Sequence, residues 1–589
     1  MLKKKNGQEI LVMSKDVYKN LVSKDELLYK IDNEIDFSFA RDLADGLYSD
    51  KGRPAKDVEM MFRAEAVQTL YRWSDRQMEW HARNTIPVKW FLGLKINEPG
   101  FDHSTMSVFR NRLGDELHRE AQKRINAQLE EKGFITKNER HILDATHTLA
   151  NAAVLSTTEL FKRGIKKLYA IVKKISFDLY TDLLEETDLC TEKELERKTK
   201  KTCEYDISPT EKRINLTGAV ILMLETIDAL ERLAAAARGS ITEQEHQLLL
   251  DEVEKRRKMI SDYVEIKVEE SEDGTPEDDQ ETPGEGAAPE GVSGNDDAAE
   301  ARGEGPPDTE RPGGGIKVTE RKEKGEGRQM SFTDEDARWG AKSKTKIFHG
   351  FKAHVDMTEN GFITDIEGTS GNVSDDAPVI PMMERQIEEK GRLANEYHGD
   401  KKFTTGQLLA FFRENGSRMI GGLANTQKSS PYFKQDEFQY DEEREVVTCP
   451  AGHSAKRLTE TGAANGTKYN VFRFHWETCF ECPLSEKCTK SINGRTVAYS
   501  EHYKHVQELK AYQKTEEYKE SKKIRPLIEG RNGYMKNCLG LDRAKYRGTP
   551  KYRIQCFLTA IASNLRRMVT CIEEASSVSY AKSPIISVS

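Results

Sequence analysis

Three acidic side chains, Asp144, Asp400 and Glu529, are the residues of this chain best placed to do chemistry. Asp144 ends the apolar run Ile142-Leu143, and the chain turns polar through Thr146-His147-Thr148 behind it. A short buried strand carrying Asp144 at its C-terminal end would set a hard oxygen ligand at a sheet edge, where a site for two divalent cations begins. Asp400 follows Gly399 at the end of a second short stretch around Tyr397, and Glu529 lies in the basic segment Arg525-Pro526-Leu527-Ile528-Glu529. Glu529 and Lys536 stand seven positions apart, two helical turns, so a metal-binding carboxylate and a phosphate-binding ammonium would share one helix face.

A second constellation is built of cysteine. Cys449-Pro450-Ala451-Gly452-His453, then Cys479-Phe480-Glu481-Cys482, then Cys488 carry the spacing of a tetrahedral zinc site, with His453 or His475 as a possible replacement ligand. Four protein ligands leave no open position, so this zinc would be structural. Cys190, Cys203, Cys538, Cys556 and Cys571 lack ligand spacing and read as small buried apolar groups.

The elements that must position these groups follow from composition and periodicity. At 589 residues, with 32% charged side chains, the chain is too long for one core and too polar for a membrane protein. Basic residues at Lys3-Lys4-Lys5 have no apolar segment behind them, which argues for the cytoplasm, as does cysteine clustered for metal instead of disulfides. The net charge of -8 is uneven: residues 269–315 hold sixteen acidic and two basic side chains, which leaves +6 on the rest. Residues 519–567 hold thirteen basic and three acidic side chains, the patch a phosphate backbone requires, with Arg525, Lys536 and Arg547 as its candidate contacts.

Residues 1–135 read as helical. Ser74-Asp75-Arg76-Gln77 is a capping box, and Ser104 to Leu113 a capped helix whose Arg110 and Arg112 are candidates for reading DNA. A first piece of the core, 136–155, precedes a helical insertion at 156–265, with seams such as Ile165, Leu168, Val172, Ile175 and Leu179. Residues 266–330 lack large apolar side chains and read as a disordered acidic linker. The core resumes over 331–440, where two alternating runs flank Thr358-Glu359-Asn360-Gly361 as a hairpin, followed by helix, strand, helix, strand. The cysteine insertion occupies 441–505, the last helices 506–575, and 576–589 form a loose tail. The class expected is α/β, with an all-α N-terminal domain and two insertions.

Taken in order, these stretches resemble the DDE-type transposases of bacterial insertion sequences. The resemblance rests on Ser104-Thr105-x3-Phe109-Arg110-x-Arg112-Leu113, Leu143-Asp144-Ala145-Thr146, Asp334-x-Asp336-Ala337-Arg338-Trp339-Gly340 and His349-Gly350-Phe351-Lys352-Ala353-His354. It continues through Asp400-x2-Phe403, the cysteines, Arg525-x3-Glu529-x6-Lys536 and Ala562-x-Asn564-Leu565-x-Arg567. It implies a ribonuclease-H-like mixed-sheet core holding two Mg2+ or Mn2+ ions on Asp144, Asp400 and Glu529. The implied activity is cleavage of double-stranded DNA at the element ends and strand transfer into target DNA by a homodimer. A nuclease of the same fold without strand transfer, and a DNA-binding protein that no longer cuts, are the alternatives. Two departures from the family pattern stand out: Lys522 replaces the usual Tyr three residues before the Arg, and Lys401-Lys402-Phe403 replaces the usual Gly-Tyr pair after the second acid.

Overall fold

The structure, a computed structural model, describes residues 18, 20–48, 54–137, 139–153, 155–189, 191–200, 208–268, 316–321, 328–342, 346–423, 432–462 and 466–582. They divide into two compact units, residues 155–328 and the remainder of the chain. Among the described residues no helix is long and apolar enough to cross a membrane.

The N-terminal helices are α1 (Leu27–Glu34), α2 (Phe39–Leu43), α3 (Val58–Leu70), α4 (Asp75–Asn84), α5 (Ile86–Phe91) and α6 (His103–Glu131). The capping box forms as expected: Ser74 Oγ accepts from the Gln77 amide while the Gln77 side chain accepts from the Ser74 amide. Asp102 caps α6 by accepting from the Ser104 amide, and Gly114, at φ 71°, kinks that helix. Strand β1 follows (His141–Leu149). Asp144 is therefore not the last residue of its strand but the fourth of nine. What ends beside it is the parallel pairing on one side, while antiparallel pairing on the other carries the strand on to Leu149.

The inserted unit contains α7 (Thr157–Ile175), α8 (Phe177–Glu186), α9 (Glu192–Lys198), α10 (Pro209–Ala236) and α11 (Glu243–Tyr263). Capping boxes at Ser208-Glu211 and Thr242-Glu245 start its two longest helices. Leu168, Val172, Val220, Met223, Ile227 and Leu230 are all buried, as the seams require. The expected linker is ordered at both ends: β2 (Val264–Val268) and β3 (Ile316–Glu320) pair antiparallel, because Val264, Ile266 and Val318 supply an alternation that the acidic composition masks. Residues 269–315 lie outside the described residues.

The main sheet takes β4 (Arg338–Ala341), β5 (Ile347–Thr358) and β6 (Ile363–Ser370). Next come α12 (Val379–Lys390), β7 (Glu396–Gly399), α13 (Gly406–Glu414) and β8 (Arg418–Gly421). β5 pairs antiparallel with β1, β4 and β6, while β1, β7 and β8 run parallel in that order. One face of the sheet buries Ile142, Phe351, Val355 and Ile366 against Ile528, Met535 and Tyr552; the other buries Leu143 and Tyr397 against Val379, Met382, Leu408 and Phe412. Helices thus cover both faces, as the α/β reading anticipates.

Residues 432–503 fold around a five-stranded antiparallel sheet: β9 (Gln439–Asp441), β10 (Val446–Thr448), β11 (Ser454–Gly462), β12 (Lys468–Arg473), then α14 (Trp476–Phe480) and β13 (Thr496–Ser500). Its core is small and aromatic, centred on Phe438, Phe472, Phe474 and Tyr499. The chain closes with α15 (Tyr503–Tyr512), α16 (Glu516–Ser521), α17 (Pro526–Asn537) and α18 (Thr549–Lys582). α18 runs well into the expected loose tail. Its middle also serves the N-terminal helices: Ile561, Leu565, Met568 and Val569 are buried in the same cluster as Phe62, Met106 and Ile125. Arg119 pairs with Glu367 at 3.0 Å, and Asn126 accepts from Asn564 at 2.9 Å, so the helical domain shares a core with the sheet domain.

Candidate active site and cysteine centre

The parallel pairing of β1 with β7 stops at Ile142 and His398, and two residues beyond each stand Asp144 and Asp400. Both carboxylates therefore leave neighbouring strands at one level of the sheet. Gly399 permits this, since a Cβ there would come within 2.5 Å of Met419 and 2.8 Å of Phe403. Over this end lies α17, where Glu529, Asn532 and Lys536 follow at helical spacing. Asn532 Nδ2 donates to Asp144 Oδ2 at 2.8 Å, and Lys536 Nζ donates to His147 Nδ1 at 3.2 Å. Glu529 is 65% exposed and its Oε1 lies 3.8 Å from Arg525 Nη1.

The electrostatics follow from this crowding. Burial pushes the Asp144 carboxyl up to about 6, and the charges of Asp400 and Asp375 add to the rise against Arg525 and the Ala145 amide. Burial brings Lys536 down to about 8 and His147 down to about 4, so His147 is the neutral acceptor of that pair. Asn532 Oδ1 is buried without a hydrogen-bond partner. The clustered carboxylates and this orphaned amide oxygen are hard donors, the set a divalent cation takes. Among the described residues the one trio of ligand-type groups with all donor atoms within 4.8 Å of one another is Glu79, Asp102 and His103, so the three acids spread more widely than one ion's shell.

One partner of the site carries no signal of its own in the sequence. Asp375, in the turn after β6, accepts from Lys352 Nζ at 2.7 Å and from Lys402 Nζ at 2.6 Å. Burial alone would raise Asp375, but these two ammonium groups hold it below the usual carboxylate range. Lys402, a departure from the family pattern, thus stands beside the second acid and also donates its amide to Asp400 Oδ1 at 2.8 Å. Asn532 was findable, lying three residues after Glu529 and four before Lys536 on the face already singled out. At Lys522, the other departure, the ammonium sits 4.8 Å over the Tyr518 ring, whose hydroxyl donates to the Gly421 carbonyl at 3.1 Å.

Of the expected DNA contacts, Arg525, Arg547 and Arg112 reach the surface, and Arg112 covers the Tyr48 ring at 4.6 Å. Arg110 does not. It is 4% exposed, its Nη2 is 2.5 Å from Asp75, its Nη1 donates to Gln68 at 3.2 Å, and its guanidinium lies 4.8 Å over the Tyr546 ring. That corrects its role from DNA reading to a buried tie between α6, α4 and the basic turn before α18. The Asp334-x-Asp336 stretch meets the same turn: Asp334 accepts from the Gly548 amide at 3.1 Å and Asp336 from the Thr549 amide at 2.7 Å, capping α18.

Cys449, Cys479, Cys482 and Cys488, with His453 and Arg495, line one cavity of about 20 Å3, room for a single small body. All four are free thiols, and amides of Leu484 and Arg495 point at Cys482 and Cys479 sulfurs at 3.4 and 3.5 Å. No three of the sulfurs lie within 4.8 Å of one another, so a tetrahedral ion would draw them inward. His475 is exposed and lies 3.6 Å from Glu477, outside the cavity lining. Cys556 is buried as expected, but Cys538 is exposed; Cys190 and Cys203 lie outside the described residues.

Residues 16–112 match a family described as a transposase domain (DUF772), and residues 448–569 match one described as a transposase DDE domain. The second match spans the four cysteines, Glu529 and Lys536, while Asp144 and Asp400 fall between the two. Comparisons with curated proteins and with solved structures find no match.

Proposed function

We propose that the chain is a DDE-type transposase of an insertion sequence, as its two transposase-domain matches support, and that it cuts DNA at the ends of its element and joins them to target DNA, with Asp144, Asp400 and Glu529 as the catalytic residues. The observation that carries this reading is the emergence of Asp144 and Asp400 side by side from parallel strands, beneath the helix that bears Glu529. The order β6-β5-β1-β7-β8, antiparallel then parallel, with helices on both faces, supports a ribonuclease-H-like core.

Asp144, Asp400 and Glu529 would hold Mg2+ or Mn2+, two per site, which when bound supply an activated water and a counter-charge for the leaving 3′ oxygen. Asn532 holds one oxygen of Asp144 in place by donating to it. Arg525 restrains Glu529 until DNA or cation arrives. Lys536, Arg525, Arg547 and Arg112 contact phosphates, and a homodimer holds the two ends. The four cysteines bind a structural zinc that fixes residues 449–488 and, through β13 and α15, the approach to α17.

The test is a labelled duplex carrying the cognate ends, incubated with Mg2+ or Mn2+ and wild type, Asp144→Ala, Asp400→Ala or Glu529→Ala. Cleavage and joining by wild type alone is the expected result. Cleavage without joining would leave a nuclease, and end binding without cleavage by folded wild type would leave a DNA-binding protein.

A further inference from the structure

The face of α17 turned away from Glu529, Asn532 and Lys536 carries Leu527, Gly530, Arg531 and Tyr534, which with the β5–β6 turn and α18 line an open cleft of about 450 Å3 with Arg566 exposed at its edge. Three arginines line it: Arg531, Arg566 and Arg567. Arg567 is occupied, donating from Nε to the Asn360 carbonyl at 2.8 Å and lying 3.4 Å from Glu574. Arg531 and Arg566 have no carboxylate within 4.0 Å among the described residues. The one acid in the lining, Glu359, is turned to Arg140 at 2.7 Å. Arg531 is half-buried, its Nη1 donates only weakly to Ser563 Oγ at 3.4 Å, and burial with the nearby charge of Arg567 pulls it below the usual guanidinium range. A cation taken out of water without a counter-charge is unfavourable unless an anion arrives. Arginine forks suit phosphate, and the apolar walls of Tyr534 and Leu527 leave the cleft larger than one phosphate needs.

We propose that this cleft is a second phosphate site, taking the backbone of a DNA segment other than the one being cut, with Arg566 and Arg531 as its anion-binding residues. The inference rests on the DNA-processing reading above for its ligand, but not on the three catalytic acids. One helix would then meet DNA on two sides: the reacting phosphate on the Glu529 face, and a backbone phosphate on the Arg531 face.

The test uses the full chain and a cognate duplex, with affinity measured across a salt series for wild type, Arg566→Ala, Arg566→Lys and Asp144→Ala. Each phosphate contact contributes about one unit of the slope of log affinity against log salt. Arg566→Ala is expected to weaken binding and lower the slope by about one, Arg566→Lys to restore most of it, and Asp144→Ala to bind like wild type while failing to cut. An unchanged slope in Arg566→Ala, with the protein folded by circular dichroism, would overturn the proposal. If inorganic phosphate raised the melting temperature of wild type but not of Arg566→Ala while the DNA slopes stayed equal, the site would take free phosphate, which also overturns it. Cutting by Asp144→Ala would instead remove the proposed function and leave the salt-slope result standing on its own.

Discussion

Asn532 Nδ2 reaches Asp144 Oδ2 at 2.8 Å across 388 positions of sequence, joining α17 to β1. Its own Oδ1 is buried and unpartnered. Asn532→Ala is expected to lower the cleavage rate about 10–100-fold, the usual effect of losing a group that orients a metal ligand. Asn532→Asp would retain shape but add a further negative charge beside Asp144. Single-turnover cleavage at saturating Mg2+, beside Mg2+ titrations, separates lost orientation from lost affinity.

The position of Asp144 sets a pH dependence. Its carboxyl is raised by burial to about 6, so it is protonated below that pH and cation binding with cleavage should fall as pH drops through 6. In the cation-free protein the sign for stability is opposite. The unfolded carboxyl titrates at its ordinary 3.8, the native one at about 6, so stability is lost as pH rises between them. Thermal melts at pH 5 and pH 7.5, with and without Mg2+, should show the larger Mg2+ stabilisation at the higher pH.

Lys536 titrates near 8 because it is buried, and it is an ammonium below that value. DNA affinity is therefore expected to decline as pH rises through 8. Lys536→Arg, charged throughout, should flatten that decline, and Lys536→Met should weaken binding at pH 7. Fluorescence anisotropy on one duplex at constant salt measures all three.

Arg110 is paired inside the helical domain, beside Asp75 and the fully buried Glu65. Arg110→Ala would take their cation from both acids, leaving Glu65 with His118 and Asp75 with Gln68, and should destabilise the protein by about 3 kcal/mol. The salt slope of DNA binding by the folded fraction should not move. Arg112→Ala is expected to do the reverse: lower the slope with a small change in melting temperature.

The cysteine cavity predicts one zinc per chain by elemental analysis, lost in Cys482→Ser. Chelation should lower the melting temperature through residues 432–503, whose apolar core of Phe438, Phe472, Phe474 and Tyr499 is small.

What the sequence determined by itself is what is encoded within a few residues. The Ser74 cap, the β5–β6 hairpin and the strand ending at Gly399 all stand where local spacing puts them. Caps and turns are interactions between near neighbours, so the chain specifies them wherever it folds. Tertiary structure decided the rest. β1 continues past Asp144 because β5, two hundred residues on, offers it partners. An arginine on a helix surface reads as a DNA contact until Asp75 and Tyr546 are found around it, and an acidic stretch conceals a strand until β2 meets β3. Asp375 became part of the site only when Lys352 and Lys402 converged on it. In each case burial and charge pairing depend on residues far away in sequence, and a window of neighbours carries no record of them.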